Sequence, residues 1–307
     1  MNSRWTAAAL PDQSGRTVLV TGANSGLGFE TGLELARRGA RVLLACRDRQ
    51  RGGEALGRLT TQVPDALAEL VELDLSSLES VARAAEDVAA RVTSLDVVVA
   101  NAGVMAVPRS LTADGFEMQL GTNHLGHFAL VGRLLPLLLA APAPRVVAVS
   151  SEAHRIGRIT FEDLMGQRTY RRWSAYGQSK LANLLYVREL QRRGSAAGLL
   201  AVAAHPGYAA TNLQSGQSSR PMELAMRLGN QVLAQSAAQG AWPQLFAATS
   251  PDVVPGGYYG PGALGGLRGH PTLTRSTRRA QDDAVARRLW EVSGELTGVR
   301  YDFPSVG

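Results

Sequence analysis

Short apolar runs rich in β-branched residues recur along the chain, separated by longer stretches whose apolar positions fall three and four apart. Thr17 to Thr21 (TVLVT) is the first run, followed by a glycine-rich turn and an amphipathic stretch to Arg38. Arg41 to Cys46 (RVLLAC), Glu69 to Asp74 (ELVELD), Leu95 to Asn101 (LDVVVAN), Arg145 to Ser151 (RVVAVSS) and Leu199 to His205 predict further strands. Gly257 to Tyr259 predicts a short seventh. Helical spacing starts near Asp48, covers Leu78 to Val92, and returns from Ala113 to Leu139 and from Ser174 to Arg193.

Near-continuous apolar strands alternating with helices predict a parallel sheet covered on both faces. Right-handed crossovers make that repeat an α/β, doubly wound Rossmann-type sheet of about seven strands with helices on both faces. No internal repeat or Pro/Gly/Ser-rich linker divides the 307 residues, so residues 1–307 are expected to form one domain. Residues 206–230 begin with loop formers (Gly207, Gly216, Ser218) and then turn apolar through Met222, Leu224, Met226 and Leu228. A substrate lid with an adaptable apolar wall, or plain core or oligomer packing, accounts for them. Phe161, Leu164, Met165 and Trp173, in the stretch before Tyr176, form either a second wall or a surface elaboration. In the extension 261–307, Gly260 to Arg279 is expected to be irregular. The segment from Gln281 is amphipathic, with Val285, Leu289 and Trp290 on one face.

Composition narrows the class without deciding it. A hydrophobic content of 45% with 19% charged residues is that of an ordinary globular protein. The greasiest stretch, Phe128 to Ala143, is broken by Arg133 and Pro136 and is too short to span a bilayer. Met1 to Gly15 lacks the pattern of a signal peptide, so a cytoplasmic protein is expected. One cysteine, Cys46, excludes an intrachain disulfide and argues against a thiolate metal cluster. The net charge of +6 raises nucleic acid as a partner. The arginines, however, are scattered among carboxylates and form no stripe; even the denser runs (Arg168, Arg171, Arg172; Arg275, Arg278, Arg279) read as solvated charge, and no nucleic-acid partner is expected. His124, His127, His154 and His205 do not fall at converging metal-ligand spacings, so packing or helix-end roles are expected and no metal.

One cation stands apart. Of 32 basic residues, Lys180 is the only lysine. An amine kept where arginine serves everywhere else is a compact charge whose pKa can shift. It lies four residues after Tyr176 in a helical stretch, so the two share a face. An ammonium about 5 Å away, at an effective dielectric near 20, favours the phenolate by roughly 3 kcal/mol, or about two pKa units, with desolvation opposing it. The expectation is a tyrosine whose pKa is lowered toward the working range of a general base. Ser151, at the end of the fifth strand, can donate to a carbonyl oxygen gaining charge. Its neighbour Ser150 points to the other face of the strand. Asn123, inside the long helix, is a poor helix former there unless its amide has a partner.

The opposite end of the sheet sequence carries the nucleotide signal. Gly22-Ala23-Asn24-Ser25-Gly26-Leu27-Gly28 joins strand one to helix one, where glycines let a pyrophosphate approach the helix N-terminus. The spacing is Gly-x3-Gly-x-Gly and departs from G-x-G-x-x-G. At the end of strand two, Arg47 suits a ribose 2′-phosphate, while Asp48 either reaches a ribose or caps the next helix. NADP(H) is therefore expected ahead of NAD(H). Asp74 and Leu75 end strand three, where Asp74 either accepts from an adenine or caps a helix. Asn101-Ala102-Gly103 ends strand four. Ligands of such sheets bind outside the carboxyl ends of the strands, where all these residues fall.

In this order, Thr21-Gly22-x3-Gly26-x-Gly28, Asn101-Ala102-Gly103, Asn123, Ser151 and Tyr176-x3-Lys180 resemble the short-chain dehydrogenase/reductase family over roughly residues 15–260. The resemblance implies a catalytic tetrad of Asn123, Ser151, Tyr176 and Lys180. Tyr176 would be the general acid/base and Ser151 would polarise the carbonyl. Lys180 would hold the nicotinamide ribose and lower the Tyr176 pKa, and Asn123 would hold a water relaying protons. It also implies that Pro206 and Gly207 lie near the nicotinamide amide and Thr211 near the pyrophosphate. Cys46-Arg47-Asp48, Asn123-His124-Leu125-Gly126-His127-Phe128 and Tyr176-x3-Lys180-Leu181-Ala182-Asn183 are similar to the retinol-dehydrogenase-like branch. That branch implies NADP(H) and a lipophilic alcohol or carbonyl. Ala100 stands where the family has a second Asn. The family also implies a homodimer or homotetramer joined through helices 113–139 and 174–193. A dinucleotide-sensing protein without turnover is the competing expectation, and it would be favoured by loss of a tetrad residue.

Overall fold

The computed structural model describes residues 4–207 and 236–304. Eight strands form one sheet in the order β3-β2-β1-β4-β5-β6-β7-β8. They are β1 (Thr17–Thr21), β2 (Arg41–Cys46), β3 (Ala68–Glu72), β4 (Val97–Ala100), β5 (Arg145–Val149), β6 (Leu200–Ala204), β7 (Tyr258–Ala263) and β8 (Arg268–Leu273). β1 to β7 pair in parallel, and β8 returns antiparallel to β7. The strand order reverses between β1 and β4, and crevices at such a switch point are where doubly wound sheets bind ligands.

Alternate strand residues serve opposite faces. Leu19, Leu43, Val98, Val146 and Ala201 pack under α3 (Leu78–Arg91), α5 (Gly126–Leu139) and α6 (Arg172–Gly194). Val18, Val42, Val99, Val147 and Val202 pack under α1 (Gly26–Arg37), α2 (Arg49–Gln62) and the helix Trp242–Thr249. Burial of each such side chain contributes about 1.5–3 kcal/mol. That two-sided cover is why these strands read as unbroken apolar runs. Asp48 caps α2 by accepting from the Arg51 amide, and Ser77 caps α3 by accepting from the Ser80 amide.

Three expectations are corrected. The long helix does not begin at Ala113: the α4 turn starts at Met118, after a turn in which Gly115 has φ +83° and Leu111 bridges Glu117. It then passes through a π-helical stretch, Gly121–Leu125, before continuing as α5. Gly260 to Arg279 is not irregular throughout, because β7 and β8 form a hairpin there and raise the strand count to eight. Its turn uses positive φ at Leu264, Gly265 and Gly266. Finally, the stretch before Tyr176 is no mere surface elaboration: Leu164 is buried in the core, and Phe161 and Met165 pack against it half-buried. Trp173 is the exception, 55% exposed.

The C-terminal helix Asp283–Thr297 lies across α5 and α6. Trp290 stacks on Tyr186 of α6 at 5.9 Å and meets Phe128 of α5 edge-on at 5.1 Å. Tyr301 donates to the Phe128 carbonyl at 2.7 Å and lies 2.9 Å from the Tyr186 hydroxyl. The chain's own tail thus packs on part of both helices.

Candidate active site

At the carboxyl end of β1, Gly22 and Gly28 bring two backbones into contact. A Cβ on Gly28 would lie 2.4 Å from the Gly22 carbonyl oxygen and 2.6 Å from Asn101 Nδ2. Gly22 and Gly26 also have positive φ, +66° and +55°. Ser25, the N-cap of α1, makes no side-chain cap bond. The first amides of a helix have no intrahelical acceptor, and here no side chain of the cap supplies one. The Asn24 carbonyl accepts from Arg58 Nη2 at 3.1 Å, which pins the outer side of the turn. Leu27 is buried at its base.

Thr21 organises the floor. Its hydroxyl oxygen accepts from the amides of Asn101 and Ala102, both at 2.9 Å, and pairs with His127 Nε2 at 2.9 Å. Asn101 Nδ2 donates to the Thr21 carbonyl at 2.8 Å. Asn101 therefore supports the glycine turn with its side chain. Gly103 follows, and a Cβ there would meet Asn123 Oδ1 at 2.9 Å and Lys180 Nζ at 3.5 Å.

Arg47 is exposed beyond β2 and makes no ion pair among the described residues. Asp48 is occupied as a helix cap, and Asp74 accepts from both the amide and the hydroxyl of Ser76 through Oδ1. Asp48 thus caps α2, whereas Asp74 closes the turn before α3, whose cap is Ser77. Leu75 is buried, its carbonyl tight against Gly126 of α5.

Across the sheet, Ser151 follows β5 and caps the 3-10 turn Glu152–Ile156, its Oγ accepting from the Ala153 amide at 3.2 Å. Gly157 then packs backbone to backbone on Gly177, where a Cβ would sit 2.2 Å from the Gly177 carbonyl oxygen. That contact lays the turn against α6, beside Tyr176. As expected, the two serines diverge: Ser150 donates to the Lys180 carbonyl at 2.8 Å, and the Ser151 hydroxyl lies on the side of the Tyr176 phenol, close enough to favour its ionised form. Lys180 Nζ stands 5.7 Å from the Tyr176 ring centroid and donates to the Val149 carbonyl at 3.0 Å. Asn183, one turn on, donates to the same carbonyl at 3.1 Å.

The electrostatics reverse one expectation. Burial pushes the Tyr176 phenol up to about 12, with the Ser151 hydrogen bond working against it. Burial also pushes Lys180 down to about 8. Both groups are buried and the ammonium is engaged by the Val149 carbonyl, so desolvation outweighs the Coulomb attraction assumed from spacing alone.

Asn123 lies in the π-helical stretch. Its Oδ1 accepts from the Val104 amide at 2.8 Å, and its Nδ2 donates to the Val104 carbonyl and to Ser179 Oγ, both at 2.9 Å. Both amide protons are used, so the side chain braces the loop after β4.

Pro206 and Gly207 end the described part of the chain after β6, with the Gly207 amide donating to His205 Nδ1 at 3.3 Å. Thr211 and the apolar residues 222–228 of the expected lid lie outside the described residues. Of the histidines, His124 bonds Ser293, His127 bonds Thr21 and the Asn123 carbonyl, and His154 bonds the Ser151 carbonyl. His205 Nε2 lies 3.5 Å from Glu152 Oε1.

Sequence reading placed Thr21 only at the head of the glycine motif, gave His154 a packing or helix-end role, and missed Ser179. For Ser179 a signal existed: Gln178, Ser179, Lys180 and Asn183 are polar residues in a helix that buries all four. Ser and Asn are weak helix formers that persist inside a helix when their side chains have partners.

The short chain dehydrogenase family model matches residues 16–221. The chain belongs to that family. It is 42% identical to mouse (Mus musculus) retinol dehydrogenase 14 over 298 residues, covering 93% of this chain and 86% of that protein. Human (Homo sapiens) retinol dehydrogenase 12 is 40% identical over 290 residues, covering 94% and 88%. A crystal structure of an uncharacterised Mycobacterium paratuberculosis protein superimposes with a TM-score of 0.81 at 45% identity, covering 98% of this chain and 100% of that one. This short-chain dehydrogenase therefore falls in the retinol-dehydrogenase-like branch and is an NAD(P)-dependent oxidoreductase. No described helix is long and apolar enough to cross a membrane.

Proposed function

We propose that the protein interconverts a lipophilic carbonyl and its alcohol with NADP(H), using Tyr176 as general acid/base. The observation that carries this reading is the convergence of Ser151, Tyr176 and Lys180 from β5 and α6 at the carboxyl edge of the sheet, facing the Gly103 loop. Several features support a dinucleotide across the switch point. The Gly22–Gly28 cradle has no room for a side chain at its closest approach, and the α1 N-terminus lacks a side-chain cap. The bound nicotinamide would supply or accept the hydride. Gly22, Asn24, Ser25, Gly26, Leu27 and Gly28 would hold the pyrophosphate side and Arg47 the 2′-phosphate.

The remaining chemistry falls to side chains. The Ser151 oxygen accepts from Ala153, which leaves its proton for a substrate oxygen gaining negative charge. Tyr176 donates its proton to that oxygen in reduction and receives it in oxidation. Lys180, buried and held by the Val149 carbonyl, places a positive charge beside the phenol and stabilises it whenever it is ionised. Asn123 keeps the loop of Gly103 and Val104 in place. The half-exposed Trp173 indole stands edge-on to Tyr176 at 6.1 Å and offers an apolar surface to a substrate. The retinol dehydrogenases among its relatives are consistent with such a substrate.

Fluorescence titration with NADPH and NADH, followed by NADPH-dependent reduction of decanal and all-trans-retinal, tests this reading. Tighter NADPH binding with aldehyde-dependent oxidation of NADPH is expected. NADH preference would move nucleotide recognition away from Arg47. Binding of both nucleotides without turnover of either aldehyde would favour a sensor, and binding of neither would remove the oxidoreductase.

A further inference from the structure

The Ser151 carbonyl is held twice by one residue. It accepts from the His154 amide at 3.0 Å and from His154 Nδ1 at 2.7 Å. Because a carbonyl only accepts, Nδ1 carries the ring proton, and Nε2 is left as an acceptor. The Thr277 amide points at Nε2 from 3.4 Å. The imidazole is fully buried and lies edge-on to Tyr258 at 5.5 Å. It therefore bridges the residue after β5 and the segment that follows β8.

Two more contacts tie these parts together. Arg155 Nη2 donates to the Arg275 carbonyl at 3.3 Å, and Arg279 Nη1 donates to the Gly157 carbonyl at 3.1 Å. The turn that Ser151 caps is thus clamped between α6 on one side, through Gly157 and Gly177, and residues 275–279 on the other. Ser151 has extended backbone angles (φ −158°, ψ 157°), so the direction of its Oγ depends on where this carbonyl and turn are fixed.

We propose that His154 is a positioning residue for Ser151, and that it makes the C-terminal extension part of the catalytic apparatus. The proposal rests on the role given to Ser151 above. Its physical basis is that a hydroxyl must meet a developing oxyanion within a few tenths of an ångström, and misplacement by about 1 Å costs up to ~100-fold in rate. Losing the ring bond leaves the Ser151 carbonyl with one short-range backbone donor and lets the turn shift.

Four variants test it with NADPH and decanal: His154→Leu, His154→Asn, Ser151→Ala and the double variant His154→Leu/Ser151→Ala. Asn places an amide donor where Nδ1 stands but cannot reach Thr277. His154→Leu is expected to lower kcat about tenfold with the KM for NADPH within about twofold. His154→Asn is expected to recover kcat to within about threefold of wild type. In the Ser151→Ala background, His154→Leu should change kcat by less than about twofold, because the two act through one hydroxyl. A tenfold loss that persists without the serine hydroxyl, or a KM for NADPH that rises with the fall in kcat, would overturn the proposal. If His154→Leu does not fold, His154→Asn decides alone: a tenfold loss of kcat in that variant overturns it. Wild-type turnover by Ser151→Ala would remove the role of Ser151 and this proposal together.

Discussion

Thr21 and His127, 106 residues apart in sequence, share a 2.9 Å hydrogen bond beneath the glycine-rich turn. The rest of the contact geometry fixes its direction. His127 Nδ1 faces the Asn123 carbonyl at 3.1 Å and so carries the ring proton, which leaves Nε2 to accept from the Thr21 hydroxyl. The threonine oxygen then accepts from the Asn101 and Ala102 amides, and every hydrogen-bonding position of its hydroxyl is filled. Replacing Thr21 with Val, which has the same shape, strands the Ala102 amide and an imidazole nitrogen in the interior, while the Asn101 amide keeps the Val99 carbonyl. Thr21→Val is expected to destabilise the protein by about 3 kcal/mol and to weaken NADPH binding. Denaturant unfolding and a nucleotide titration would show both; an unchanged midpoint would mean the hydroxyl is not the hub.

The buried histidines set an acid limit. Burial lowers His127 and His205 to about 4 and His124 to about 3, against an ordinary value of 6.5. For a base whose folded pKa is depressed, the unfolded chain binds protons first. Stability is therefore complete above pH 6.5 and is lost as pH falls from there toward 4. Each such group costs about 1.4 kcal/mol per pH unit in that window. Melting temperatures at pH 7, 5.5 and 4.5 should fall steeply, and His127→Gln should fall less steeply. A flat profile would show that the imidazoles are not held neutral.

Tyr176→Phe is expected to lower kcat by about 10²–10⁴, the usual worth of a general acid. The Kd for NADPH should stay within about threefold, because the ring and its contact with Trp173 remain. Steady-state kinetics with decanal and a binding titration check the two halves separately. Turnover near the wild-type rate would remove Tyr176 as the acid.

Arg47 has no ion pair to give up among the described residues, so its guanidinium is available to a 2′-phosphate. Arg47→Asp should weaken NADPH by roughly tenfold or more, the worth of a charge-assisted bidentate contact, and tighten NADH relative to it. Equal preference before and after substitution would place phosphate recognition elsewhere.

What could be read from the chain follows from range. β1, β2, β4, β5 and β6 were legible because a strand buried on both faces must be apolar at every position. β8 was not: RGHPTL has little β propensity, and Pro271 is tolerated there because the strand lies at the sheet edge. The start of the long helix was read through Asp114-Gly115, a turn pair whose Asp114 instead holds the Leu78 amide. Tyr176, Lys180 and Ser151 were legible from spacing and order. The sign of the Tyr176 shift was not, since spacing gives a distance but says nothing of how deeply both groups are buried. Thr21 and His154 gain their meaning from partners 80 to 123 residues away, which no local pattern encodes.

The tail that stacks Trp290 on Tyr186 and sets it edge-on to Phe128 gives the surface formed by α5 and α6 a tethered occupant. A tethered segment is present at a fixed effective concentration whatever the protein concentration. α6, which carries Tyr176 and Lys180, is thereby buttressed from within one chain. That part of the helix's support therefore does not weaken as the protein is diluted.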